Sequence, residues 1–77
     1  MRRAAMKYTD FTDQMIADIV AGRRALTEDE RAFLLSDTPH FEECSKDTAA
    51  ELPTMSDADL IRTAFNVWAE YAQGQTQ

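Results

Sequence analysis

Residues 55–74 read MSDADLIRTAFNVWAEYAQG, and this stretch carries the clearest helix signals in the chain. Ser56 is a typical N-cap, two aspartates follow in the first turn, and Gly74 is a typical terminator after Gln73. At about 100° per residue the apolar side chains cover an arc of roughly 200°. They are Leu60, Ile61, Ala64, Phe65, Val67, Trp68, Tyr71 and Ala72. So wide an arc predicts either a central helix or one that also faces a second molecule, through Leu60, Val67 and Tyr71.

Two shorter helices are predicted at the start of the chain. The first begins at residue 9 or 10 and stops at Gly22, because apolar residues recur there at helical spacing. The second begins after Thr27, whose hydroxyl and the carboxylate of Glu30 form a capping box. It ends near Ser36.

A third helix is predicted between them and the long one. Thr38 is its cap, Pro39 its first residue, and Leu52 its last residue before Pro53. The chain lacks hairpin turns and clusters of β-branched residues. We therefore predict an all-α fold, a small bundle of about four helices forming one domain over residues 1–77, with frayed ends at 1–7 and 74–77.

A chain of 77 residues buries a small core, so its stability benefits from a disulfide, a metal or self-association. Cys44 is the only cysteine, which excludes an internal disulfide, and no Cys/His cluster points to zinc. Association with a second copy of the chain or with a protein partner therefore remains as the additional source of stability. The single thiol fits a cytoplasmic location. The basic amino-terminal residues precede no apolar run, and no stretch approaches a membrane span, so we predict neither a secretory signal nor membrane contact.

Catalysis needs a nucleophile, a base or a metal, and the candidate side chains for these roles are one histidine and one cysteine. His40 and Cys44 are four residues apart and would be neighbours on a helix. Cys44 shares its predicted stripe with Phe41 and Leu52, however, so a core role is the better interpretation. No calcium loop or glycine-rich phosphate loop occurs. We predict no enzyme activity, no metal and no cofactor.

Charge is the most unusual property of the sequence. Fourteen acidic residues face eight basic ones, and the formal net charge is −6. Between Glu28 and Asp59 ten carboxylates stand against two cations, Arg31 and Lys46. On the predicted third helix Glu43, Asp47 and Glu51 would form a like-charge ladder at four-residue steps. Such a face either keeps a small protein soluble or complements a basic groove on another protein.

In size, acidity and helical character the chain resembles small phage- or mobile-element-encoded inhibitors such as anti-CRISPR proteins. The resemblance rests on these general properties and not on motifs. It implies a non-enzymatic protein that blocks a basic, nucleic-acid-binding surface of a partner. The predicted contact residues are acidic: Glu28, Asp29, Glu30, Glu42, Glu43, Asp47 and Glu51.

The sequence is compatible with two other functions. A bacterial regulatory or assembly adaptor would dock or dimerise through the apolar carboxyl-terminal helix. A weak DNA-binding regulator would use the basic residues, which are Arg2, Arg3, Lys7, Arg23 and Arg24. Direct DNA binding is disfavoured because the second and third helices are acidic and would be repelled by phosphate.

Overall fold

The computed structural model describes residues 6–75. It contains four α-helices: α1 (Asp13–Val20), α2 (Glu28–Asp37), α3 (Lys46–Glu51) and α4 (Asp57–Gln75). Three short 3-10 turns accompany them, at Tyr8–Asp10, Thr38–His40 and Leu52–Thr54. Residues 6–75 contain no strand, so the prediction of an all-α fold with four helices is confirmed. No helix in this range has the length and apolar character needed to cross a membrane.

Side-chain caps fix where the first two helices begin. The Thr12 hydroxyl accepts a hydrogen bond of 3.1 Å from the Met15 amide, so α1 begins at Asp13 and not at residue 9 or 10 as predicted. Tyr8–Asp10 forms a separate turn before it, and Phe11 is extended and buried. Gly22 ends α1 as predicted, with a φ of 81° that only glycine adopts easily. The predicted capping box of Thr27 and Glu30 is present at the start of α2.

The predicted third helix is wrong over its first half. Thr38 and Pro39 do not begin a new helix; they continue α2 as a 3-10 turn. At Phe41 the backbone becomes extended, with φ −76° and ψ 139°, and its ring packs beside Tyr8. The helix begins only at Lys46, where the Ser45 hydroxyl accepts a hydrogen bond of 3.1 Å from the Thr48 amide. Packing of the Phe41 ring, which lies far along the chain from Tyr8, opposes helix in this segment.

Helix α4 is the central helix of the fold. Its fully buried residues are Leu60, Ile61 and Ala64, and it contacts α1, α2 and the turn at Thr38–His40. The helix runs through Gly74 to Gln75, so Gly74 is not its terminator. The predicted frayed ends lie partly outside the described residues, at 1–5 and 76–77. Within the described residues, Lys7 immediately precedes the turn at Tyr8–Asp10 and Gly74 lies inside α4, and fraying of the ends stays a prediction.

Arg31 joins three parts of the chain. Its guanidinium donates to Asp57 Oδ1 at 2.9 Å and to the backbone carbonyls of Pro53 and Met55 at 3.2 and 2.8 Å. The other carboxylate oxygen of Asp57 accepts from the Leu26 amide at 2.9 Å. The start of α4 is thereby tied to α2 and to the segment before α2.

Candidate functional site

The structure does not provide the helical spacing that would place His40 beside Cys44. His40 is exposed at the end of a 3-10 turn, and residues 41–45 are not helical, so the helical spacing that would place the two side by side is absent. Cys44 is buried at 9% exposure, its Sγ lies 3.7 Å from the Ser45 carbonyl oxygen, and burial raises the pKa of the thiol. Residues 6–75 hold no group of three or more His, Cys, Asp or Glu side chains placed to bind a metal ion.

We expect the Cys44 thiol to react slowly, because burial both shields the sulfur and disfavours the thiolate. In a thiol-reagent assay near neutral pH, native protein should react at least about 10-fold more slowly than the same protein unfolded in urea. Cys44→Ser should lower stability and leave partner binding intact. Equal rates for native and unfolded protein, or loss of binding in the serine variant, would contradict this prediction.

The acidic contact residues separate into two groups. Glu42 and Glu43 lie in the turn before α3, while Asp47 and Glu51 lie one helical turn apart on α3. The three-membered helical ladder is therefore wrong, because Glu43 precedes the helix. All four carboxylates are exposed, and none forms an ion pair with a cation among residues 6–75. We call these four residues the acidic segment.

Glu30 does not belong to an exposed acidic surface, contrary to the prediction. Its side chain is buried at 8% exposure and receives two hydrogen bonds, of 3.0 and 2.8 Å, from the Arg24 guanidinium. It also accepts from the Thr27 amide at 2.9 Å. The Arg24 hydrogen bonds, partly opposed by burial and aided by the Thr27 amide, hold the pKa of Glu30 below its usual range. Glu28 and Asp29 are exposed in the first turn of α2.

Two of the three residues predicted for a partner-facing side of the long helix are in the core. Leu60 is fully buried and Val67 is buried, because α1, α2 and the turn at residues 38–40 cover α4. Only Tyr71 is exposed, at 37%, with its ring 4.8 Å from that of Phe41. Leu60 and Val67 are thus core residues, and Tyr71 is the one of the three that the fold leaves at the surface for an adaptor or homodimer contact.

The basic residues proposed for DNA binding are partly used inside the fold. Arg24 is held by Glu30, and Arg23 pairs with Asp18 at 2.9 Å. Arg2 and Arg3 lie outside the described residues. Of the five, only Lys7 is described, exposed and without an ion pair to residues 6–75.

A groove that the sequence did not reveal lies beside the amino-terminal turn. It has a volume of about 350 Å³ and is lined by Met6, Lys7, Tyr8, Thr9, Phe33, Asp37 and Trp68. Three of these side chains are aromatic: the Tyr8 ring stacks on Trp68 at 5.8 Å and meets Phe33 edge-on at 4.9 Å. No periodicity signals such a site, because its walls come from three segments far apart in the chain.

Tyr8 is the buried floor of this groove. Its hydroxyl shares a hydrogen bond of 2.8 Å with the Thr38 hydroxyl, and the residue is 6% exposed. Burial raises the pKa of Tyr8 to about 12, with the Thr38 hydrogen bond opposing and the negative charge of Asp37 adding to the rise. Tyr8 is therefore a neutral hydroxyl at physiological pH and serves as structure, while Asp37 supplies the negative charge at the groove.

Comparison of the chain with protein-family models, with curated proteins and with solved structures shows no match.

Proposed function

We propose that this protein is a non-catalytic binding module that occupies a basic, nucleic-acid-binding surface of a partner protein, as anti-CRISPR proteins and similar small phage- or mobile-element-encoded inhibitors do. The acidic segment is the observation that supports this best. Its four exposed carboxylates, Glu42, Glu43, Asp47 and Glu51, lie within residues 42–51 and have no ion-pair partner among residues 6–75.

The use of cations elsewhere in the fold strengthens the proposal. Four arginines form ion pairs outside the acidic segment: Arg23 with Asp18, Arg24 with Glu30, Arg31 with Asp57 and Arg62 with Asp59. Residues 42–51 keep four carboxylates and one ammonium group, that of Lys46, which leaves a net charge of −3. These four arginines pair with carboxylates outside residues 42–51, so none of them neutralises the acidic segment.

Such a surface would act by electrostatic attraction to the partner and by steric blockade of its nucleic-acid-binding surface. Exposed carboxylates compete with phosphate groups for the same lysines and arginines, and complementary charge raises the rate of association. The molecule is 34 Å along its longest axis, which is about the length of one turn of duplex DNA. Once bound, it would cover the phosphate contacts of about one helical turn. We also place this activity in the cytoplasm, because a single buried thiol fits a reducing compartment.

Neutralising the acidic segment tests the proposal. The partner is captured from a cell lysate on immobilised protein, selected by its release with added duplex DNA, and purified. Glu43→Gln/Asp47→Asn/Glu51→Gln should then associate with it about 3- to 10-fold more slowly than wild type at low salt, with a smaller difference at high salt. The measurement is the association rate constant at two ionic strengths.

A matched variant controls for total charge. Asp13→Asn/Asp59→Asn/Glu70→Gln also removes three negative charges, from exposed positions outside the acidic segment, and changes the net charge from −6 to −3 in the same way. It should slow association much less. If both variants associate equally slowly, net charge alone explains the effect. If the variant neutralised in the acidic segment associates as fast as wild type, the acidic segment serves only solubility and the proposal is wrong.

A further inference from the structure

Among the described residues that line the groove beside the amino-terminal turn, Asp37 is the one acidic side chain and Lys7 the one basic side chain. Asp37 is half-buried and is the last residue of α2, at the negative end of that helix dipole. The last turn of α2 contains no basic residue, and the Asp37 side chain makes no capping hydrogen bond. Asp37 forms no ion pair with a cation among residues 6–75. A carboxylate at this position interacts unfavourably with the helix dipole, and a cation bound in the groove would offset that cost.

The other walls of the groove suit one particular cation. Trp68 and Phe33 are partly exposed, so ring surface is available next to the carboxylate. Both rings pack on the Tyr8 ring, with centroid separations of 4.9 Å for Phe33 and 5.8 Å for Trp68, so a guest would lie against an outer ring surface and not between either ring and Tyr8. A planar guanidinium stacks on such a surface, is weakly hydrated, and donates two hydrogen bonds to one carboxylate. An ammonium group is not planar, so it can neither stack on the ring in this way nor donate the same pair of hydrogen bonds.

We infer that this groove receives an arginine side chain of the basic partner, with its guanidinium over the Trp68 ring and paired with the Asp37 carboxylate. The volume of about 350 Å³ lies at the lower end of the range of about 300–1,000 Å³ for ligand sites, which fits one side chain. The ring centroid of Phe41 lies 5.7 Å from that of Tyr8, and Glu42 follows Phe41 directly, so the acidic segment begins one residue after a side chain that packs on the floor of the groove. The choice of a partner as the source of the arginine rests on the proposed function.

The site has a built-in reporter, because Trp68 is the only tryptophan in the chain. The probe is the peptide acetyl-Gly-Arg-Gly-amide, added to the full chain, with Trp68 fluorescence and its indole N–H resonance as readouts. Both signals should saturate, with a Kd on the order of 1–10 mM. The matched peptide with citrulline in place of arginine keeps the shape and removes the charge, and it should bind at least about 5-fold more weakly.

Two single substitutions on the groove wall should act in opposite directions. Asp37→Asn should weaken binding of the arginine peptide about 5- to 10-fold and leave the fold intact, because it removes a charge that is unfavourable at the end of α2. Lys7→Gln should strengthen binding about 2-fold, because Lys7 lines the same groove and repels a cation. Equal binding of the two peptides by wild type, or unchanged binding in Asp37→Asn, would overturn the inference.

Further variants separate this inference from the proposed function and from another occupant. Glu43→Gln/Asp47→Asn/Glu51→Gln should bind the arginine peptide within about 2-fold of wild type at physiological salt, because those charges lie outside the groove. If that variant associates normally with the partner while Asp37→Asn does not, the proposed role of the acidic segment is contradicted and the proposed role of the groove is supported. Peptide binding seen only in Arg2→Gln/Arg3→Gln would assign the groove to the chain's own arginines and overturn the assignment to a partner.

Discussion

Replacing Leu60 by alanine is expected to lower the free energy of unfolding by about 2–5 kcal/mol. Leu60 has no exposed surface and lies on the one helix that α1, α2 and the turn at residues 38–40 all contact. At about 0.05–0.15 kcal/mol per residue, a 77-residue chain has a total stability of roughly 4–12 kcal/mol. The substitution therefore removes a large share of the stability and populates unfolded protein.

Urea unfolding followed by far-ultraviolet circular dichroism measures this loss. The control is Arg62→Ala, two residues along the same helix, where the side chain is exposed and its ion pair with Asp59 spans 3.6 Å. That change should stay within about 0.5 kcal/mol. If Leu60→Ala costs no more than Arg62→Ala, α4 is not the centre of the core.

Replacing Arg31 by methionine is expected to lower the free energy of unfolding by about 1–3 kcal/mol. The change leaves Asp57 without its cation and leaves the Pro53 and Met55 carbonyls without their donor. Arg31→Lys should restore only part of the loss, because a single ammonium cannot reproduce the fork that reaches three acceptors.

Arg62→Met is the matched control for Arg31, since it removes an exposed arginine with one weak pair and should cost less than about 0.5 kcal/mol. Both variants are compared by thermal and urea unfolding. A double-mutant cycle with Asp57→Asn isolates the coupling between the two side chains. Equal losses for Arg31→Met and Arg62→Met would show that the three hydrogen bonds contribute nothing to stability.

Local sequence signals predicted the features that depend on neighbours within one turn. The capping box of Thr27 and Glu30 needs only residues three apart, and Gly22 needs only a backbone that accepts positive φ, so both were readable. The start of the third helix is not predictable in this way, because the residues Thr38 and Pro39 are compatible both with the beginning of a helix and with its continuation as a 3-10 turn. The ring of Phe41, packed on Tyr8 and Tyr71, decides between these outcomes.

The candidate sites show the same division between local and distant contacts. Glu42, Glu43, Asp47 and Glu51 were identified by charge alone, and the structure leaves all four exposed. Glu30 was misassigned because its partner, Arg24, reaches it across a turn that the sequence does not define. The groove depends on rings from residues 8, 33 and 68, and no pattern within one segment connects them.

Met6 and Lys7 form part of the groove wall, and this decides where the protein can be tagged. A fusion or fluorophore at the amino terminus is joined to Met6 by five residues and would crowd the mouth of the groove. Gln75 lies seven residues beyond Trp68, about 10 Å further along α4. Immobilisation and labelling through the carboxyl terminus therefore keep the groove open, whereas an amino-terminal affinity tag could hide the binding that it is meant to detect.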